Sequence, residues 1–221
     1  MNAIIYKEWI KTRRFVLLLG VLFAALITYI FLWSGQMMEA SGAVIIWETI
    51  IGKDMRLVGY IKYLPPAAGI LLAIVQFAPE MQSKRLKLTL HLPVNEGKMM
   101  CGMLGYGFTV LLALFSLSCA ILMLGLSVRY AHEIVMANFW VSLPWFAGGL
   151  FTYLLGSWTC LEPVWKQRIF NAVTAACLVA TLYTDQMSGA YATYLPYMLA
   201  LLAVCFFFSL YSTARFKDGV Q

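Results

Sequence analysis

The sequence predicts an all-α polytopic membrane protein: an interfacial N-terminal elbow helix, then six transmembrane helices, with both termini in the cytoplasm. Three observations predict it. Of the 221 residues, 62% are apolar and 12% charged, with mean hydropathy +0.80. A soluble chain is typically about 45–50% apolar and about 25% charged, so this one has too little polar surface to solvate a globule of its size. Apolar runs close to the roughly 20 residues needed to cross a bilayer recur along the chain. Lysine and arginine are also shared unevenly among the segments joining those runs. The same composition excludes a disordered chain, which needs many charges and few apolar residues.

The elements follow in order. In residues 1–14, Ile5, Tyr6, Trp9 and Ile10 fall on one side of a helical wheel. Lys7, Glu8, Lys11 and Arg14 fall on the other, with Arg13 the exception. This reads as an amphipathic helix lying in the interface, or else as a solvated basic stub. The next run is too long for a signal-peptide core and lacks a small-residue exit, so no cleavable leader is expected.

Residues 15–214 hold the spans. The first is Phe15–Trp33 and the second Tyr63–Pro79, short and bracketed by Lys62 and Glu80. The third and fourth lie within Met99–Val128 and Ile134–Leu161. The fifth, Ile169 to Asp185, is again short, and the sixth lies within Gln186–Ala214, starting near Tyr194. Residues 215–221 form a tail.

Orientation follows from the basic residues. With the N-terminus inside, Lys7, Lys11, Arg13, Arg14, Lys84, Arg85, Lys87, Lys98, Lys166, Arg168, Arg215 and Lys217 are cytoplasmic. Lys53, Arg56, Lys62 and Arg129 are outside, and twelve against four decides the direction. Trp33 and Trp140 then fall at outer ends, and Trp9, Trp158 and Trp165 at inner ends, as aromatic belts require. The net charge of +6 is a topology signal. Spread among the inner loops, it gives no argument for nucleic acid.

Several chemistries are excluded. Cys101, Cys119, Cys160, Cys177 and Cys205 each lie in an apolar run, where a lone thiol behaves as a small hydrophobe. No spacing suggests a metal. His91 and His132 fall on opposite sides of the membrane, and Gly125-Leu-Ser127 and Gly156-Ser157 have no partner base, so an intramembrane hydrolase is not expected. Gly52-Lys53 is followed by Asp54 and Gly97-Lys98 by Met99, so neither is a P-loop. Every ionisable Asp, Glu, Lys, Arg and His sits at a span end or in a loop, whereas ion-coupled carriers place such groups near the midplane. A transporter built this way needs a motor from elsewhere.

The outer segment Ser34–Lys62 is the only sizeable exterior stretch, with Val44–Ile51 apolar enough to lie on the membrane. The cytoplasmic stretch 80–98, EMQSKRLKLTLHLPVNEGK, is richer. Its leucines alternate with Lys87, Thr89 and His91, the period of a strand. A lone strand at a membrane surface would leave unpaired edges, so a short helix stopped by Pro93 is the competing assignment. Asn95 can cap the third span. Leucines among basic residues suggest a surface for another protein, or packing against lipid. Glu80 and the basic pair Lys84/Arg85 stand one helical turn apart, an intrahelical pair worth about 0.2–0.5 kcal/mol.

The run Gln76-Phe-Ala-Pro-Glu80 with Lys84-Arg-Leu-Lys-Leu-Thr-Leu-His-Leu-Pro93 resembles the loop after the second span in permease subunits of type-2 ABC transporters. Lys-Glu-Trp-Ile-Lys-Thr-Arg at positions 7–13 is similar to the N-terminal elbow of that class. The resemblance extends over the layout of the whole chain. It implies an exporter permease of a bacterial inner membrane, pairing with a second permease copy and with cytoplasmic P-loop ATPase subunits. Those subunits, and not this chain, would bind ATP and magnesium. Gln82–Leu92 would be the coupling helix, with Glu80, Lys84, Arg85, Lys87, Leu88, Leu90 and His91 as contacts, and Trp9, Lys11 and Arg14 would mark the elbow.

Small residues four apart permit close helix approach. Gly20, Ala24 and Thr28 form such a face on the first span, Gly148, Thr152 and Gly156 on the fourth, and Ala172, Ala176 and Ala180 on the fifth. By the resemblance, the first and fifth are candidates for the dimer seam. Pro144 is expected to kink the fourth span. Gln76, Asn171, Thr174 and Tyr183 are candidates for lining a pathway, or for hydrogen bonds between helices. Two other readings stand beside the exporter. One is a substrate-binding membrane subunit of a vitamin-uptake system, docking through its first span; the other is a membrane protein without transport function.

Overall fold

The computed structural model describes residues 2–47, 57–82, 96–184 and 189–217. Among them the chain is helical throughout, without strands. Six α-helices follow in order: α1 (Asn2–Trp47), α2 (Leu64–Gln82), α3 (Glu96–Ser127), α4 (His132–Leu161), α5 (Trp165–Ala180) and α6 (Leu195–Lys217). Short 3-10 turns at Gly59–Ile61, Thr181–Tyr183 and Ala192–Tyr194 punctuate the connections. Five of these helices, α1, α2, α3, α4 and α6, are long and apolar enough to cross a membrane. The fifth expected span, Ile169 to Asp185, answers to α5, which is 16 residues long. At 1.5 Å per residue it reaches only about 24 Å, short of the roughly 30 Å hydrocarbon layer.

Prolines place the boundaries. The sequence has none before Pro65, and α1 accordingly runs unbroken for 46 residues. The sequence reading separated an elbow at 1–14 from a span at 15–33 and an outer segment from Ser34. In the structure all three stretches up to Trp47 are one helix. Pro65 and Pro66 sit in the first turn of α2, and Pro196 in that of α6, where the missing N–H is no loss. Glu162, the residue before Pro163, is pushed to φ −71°, ψ 124° and ends α4, the extended conformation that a following proline imposes. Pro79 and Pro144 lie inside α2 and α4, and both helices continue through them.

α4 is the axis of the bundle. It packs on α2, α3, α5 and α6, and its interface with α2 is the largest in the molecule. That closeness comes from small residues. A Cβ on Gly69 of α2 would overlap the Gly149 carbonyl and the Thr152 hydroxyl of α4. Thr152 Oγ1 donates to Pro66 O across the seam (3.1 Å), and Gly156 accommodates Ala73. The Gly148/Thr152/Gly156 face is therefore spent inside the chain, with Gly148 against the Tyr183 ring. Buried around α4 are Trp145, Phe151 and Tyr153 from its own length, Phe23 from α1 and Phe77 from α2.

Much of the outer surface is apolar. Leu17, Val21, Leu32, Leu117, Leu124, Leu199 and Phe207 are all exposed. An apolar patch of that extent is untenable in water and ordinary in lipid, so the helices fit a membrane-embedded protein.

Candidate functional site

The densest polar constellation lies where α1, α2, α3 and α4 converge. It begins with the amphipathic pattern of residues 1–14, whose polar side turns inward at Glu8, Lys11 and Thr12. Glu8 and Thr12 are fully buried, while Ile5, Tyr6, Trp9 and Ile10 are exposed. In water the opposite orientation would win. Against lipid the apolar side belongs outside, and the charges must be neutralised within the protein.

Neutralisation is mutual. Lys7 Nζ pairs with Glu80 Oε1 of α2 at 2.9 Å. Lys11 Nζ lies 3.0 Å from Glu8 Oε2 and 3.2 Å from Glu80 Oε1, and it donates to the Gln76 carbonyl at 2.8 Å. All three ammonium donors thus have acceptors. Two lysines face two carboxylates, so the cluster carries no net charge. The four differ in depth: Lys7 is 44% exposed, Lys11 21%, Glu80 3% and Glu8 0%. Among the described residues Glu80 Oε2 has no hydrogen-bond partner; it stands just before residues 83–95.

A second layer lies beneath. Thr12 Oγ1 donates to the Glu8 carbonyl (2.9 Å) and meets the Tyr106 hydroxyl at 2.7 Å. Gln76 Nε2 donates to Met103 O (2.8 Å), and its Oε1 accepts from the Tyr153 hydroxyl (2.8 Å). This ties α1 to α3, and α2 to both α3 and α4. Gly107 of α3 leaves room for Tyr153, whose hydroxyl a Cβ there would strike. At the same end of the bundle, Ser212 of α6 donates to Glu162 Oε2 (2.7 Å), and Arg168 Nε and Nη2 donate to Glu162 O (3.2 and 2.7 Å).

No family model, curated protein or solved structure matches this chain.

Glu80 has partners that the sequence reading did not name. Its partners among the described residues are Lys7 and Lys11, 73 and 69 residues away; Lys84 and Arg85, the pair expected one turn on, lie outside those residues. Lys84, Arg85, Lys87, Leu88, Leu90 and His91 lie outside the described residues. Of the elbow candidates, Lys11 is in the cluster, while Trp9 and Arg14 are exposed.

The four pathway candidates part company. Gln76 is fully buried and bonded in the core. Asn171 is buried; its Oδ1 accepts from Gln167 (3.4 Å), and its Nδ2 has no partner among the described residues. Thr174 donates to the Phe170 carbonyl of its own helix (2.7 Å). Tyr183 donates to Trp145 O (3.2 Å) and borders an apolar groove of about 440 Å³ between α2, α4 and α5.

Of the seam candidates, Ala24 and Thr28 are exposed and Gly20 has open space before it. Ala172, Ala176 and Ala180 are exposed on the wall of that same groove, facing α2 of their own chain.

Sequence reasoning missed Glu8, Lys7, Thr12, Tyr106, Tyr153 and Glu162. A signal existed for some of them. Lys7 and Lys11 stand one turn apart beside Glu8, and Glu80 ends the apolar run Tyr63–Pro79, where a lone acid needs a partner.

Proposed function

We propose that the chain is the permease subunit of an ATP-driven exporter in a bacterial cytoplasmic membrane, working as a pair and driven by separate ATPase subunits. The observation that carries this reading is the charge cluster. It joins the end of α2, directly before the basic and leucine-rich stretch 83–95, to the N-terminal turns of α1. A push on that stretch would reach α1 through Glu80, and α4 through Gln76 and Tyr153.

The stroke begins in the partner ATPases, which hold ATP and magnesium. Their closure moves the 82–92 segment, and α1 and α2 follow as one body because Lys7 and Lys11 clamp Glu80. Two permeases meeting along the open Gly20/Ala24/Thr28 face then shift against each other, opening an outward route for an amphipathic substrate.

The test is coupled hydrolysis by the chain reconstituted with a P-loop ATPase that copurifies with it. Alone, the chain should hydrolyse no ATP. In the complex, Leu88→Asp and Leu90→Asp should abolish substrate-stimulated turnover, and Lys84→Glu and Arg85→Glu should lower it less, since apolar anchors dominate protein contacts. Membrane abundance should stay near normal. Unchanged coupling in all four variants would sink the proposal.

The vitamin-uptake reading keeps one observation in its favour, the same open face on α1. Copurification separates the two: direct contact with the ATPases fits the exporter, and an intervening membrane protein fits the rival.

A further inference from the structure

A second, shallower groove continues the one bordered by Tyr183. It holds about 380 Å³ and lies between α2 and α5 with α4 as its floor. The two share Ile70, Gly156, Thr159 and Ala172. On α2 its wall runs from Ile70 to Met81, about 16 Å at 1.5 Å per residue, close to half the roughly 30 Å hydrocarbon thickness. The groove is therefore one leaflet deep. Its walls are apolar, and Ile70, Ile74 and Ile169 are exposed along it.

Its mouth differs. Trp165 and Arg168 stand there, with the Arg168 guanidinium 5.9 Å from the Trp165 ring centre. Arg168 is fixed by donating Nε and Nη2 to the Glu162 carbonyl, a neutral acceptor. Among the described residues it has no carboxylate partner. An apolar trough one leaflet deep, closed at the interface by a tethered cation and a tryptophan, has the chemistry of a bound lipid: chain in the trough, phosphate on the arginine.

We infer that the α2–α5 groove holds one acyl chain of an anionic phospholipid whose headgroup pairs with Arg168. The charge at the mouth selects the lipid, and the volume receives the chain. By the sequence-derived orientation the mouth opens to the cytoplasmic leaflet, where anionic lipids reside. The inference does not depend on ATP-driven transport.

The test is native mass spectrometry of the full chain released from nanodiscs of equal phosphatidylglycerol and phosphatidylcholine with identical acyl chains. The wild type should retain one phosphatidylglycerol in preference to phosphatidylcholine by about tenfold, as a charge-assisted bond at an interface would give. Arg168→Gln should reduce the preference to near unity, and Arg168→Lys should keep most of it. Ala172→Phe, at an exposed position, should fill the trough and abolish retention of both lipids without touching the headgroup site. Ala24→Phe, on the far face of α1, should change nothing.

Equal retention of both lipids by the wild type would overturn the inference, as would full retention by Ala172→Phe. If Ala172→Cys forms disulfide-linked dimers in the native membrane, a second copy occupies the groove and the lipid assignment fails.

Discussion

Lys11 holds the charge cluster and Lys7 decorates it. Replacing Lys11 with Met leaves Glu8 and Glu80 buried with only Lys7 near, and Lys7 is half in solvent. Uncompensated buried charge of this kind typically costs about 3–5 kcal/mol. Lys7→Met removes a cation that is 44% exposed, and pairs of that exposure are worth about 1 kcal/mol or less. Thermal unfolding of the two variants in the same detergent should thus show a large drop for Lys11→Met and a small one for Lys7→Met. Equal drops would mean that the cluster is not organised around Lys11. The amphipathic side of residues 5–11 was legible in the sequence, but the direction it faces was not. Sidedness is a local pattern, while facing depends on what lies 69 residues further on and on the solvent outside. Glu80 shows the same limit. Its sequence neighbours Lys84 and Arg85 offered a pair worth little, and the fold supplied a buried one that no local period records.

Between helices the grammar is steric. Small residues four apart mark close approach, yet the pattern does not say to whom. Gly148, Thr152 and Gly156 meet α2 and Tyr183, while a Cβ on Gly20 would meet nothing among the described residues. Gly69 and Ala73, themselves four apart on α2, complete the α2–α4 seam, a stripe that the sequence reading passed over. A methyl group at Gly69 collides with backbone on α4, so Gly69→Ala should cost about 1–3 kcal/mol as overpacking. Gly20→Ala should be neutral or stabilising by up to about 1 kcal/mol, because alanine is the better helix former and space is open. Unfolding midpoints in mixed micelles check both, and a larger loss at Gly20 would refute the assignment of faces. Element boundaries were legible wherever proline set them, as at Pro163. α5 was legible as a helix but not as a full span, since its apolar run continues past Ala180 in composition while the backbone turns into a 3-10 segment at Thr181.

At the scale of the molecule, composition and the recurring apolar runs of about 20 residues together pointed to an all-helical, membrane-embedded chain. The orientation rests on twelve basic residues against four, and labelling tests it. In intact cells a membrane-impermeant thiol reagent should reach Met38→Cys and Ser188→Cys in a chain otherwise free of cysteine, and leave Ser83→Cys and Lys217→Cys unmodified. The reverse pattern would invert the protein and remove the cytoplasmic docking stretch with it. The unbroken α1 carries a consequence of its own. Its 46 residues make a rod of about 69 Å, more than twice the hydrocarbon thickness. Such a rod cannot lie wholly within the bilayer, and with no break at residue 14 it cannot bend there into the membrane plane. It is held at two places, by the charge cluster at Lys7 and Lys11 and by the Tyr130 hydroxyl donating to Ser34 O (2.9 Å). The two holds stand about 35 Å apart along the rod, more than one hydrocarbon thickness, so a shift of the charge cluster is carried by a rigid strut to the far end of α3 without any change in the helices between.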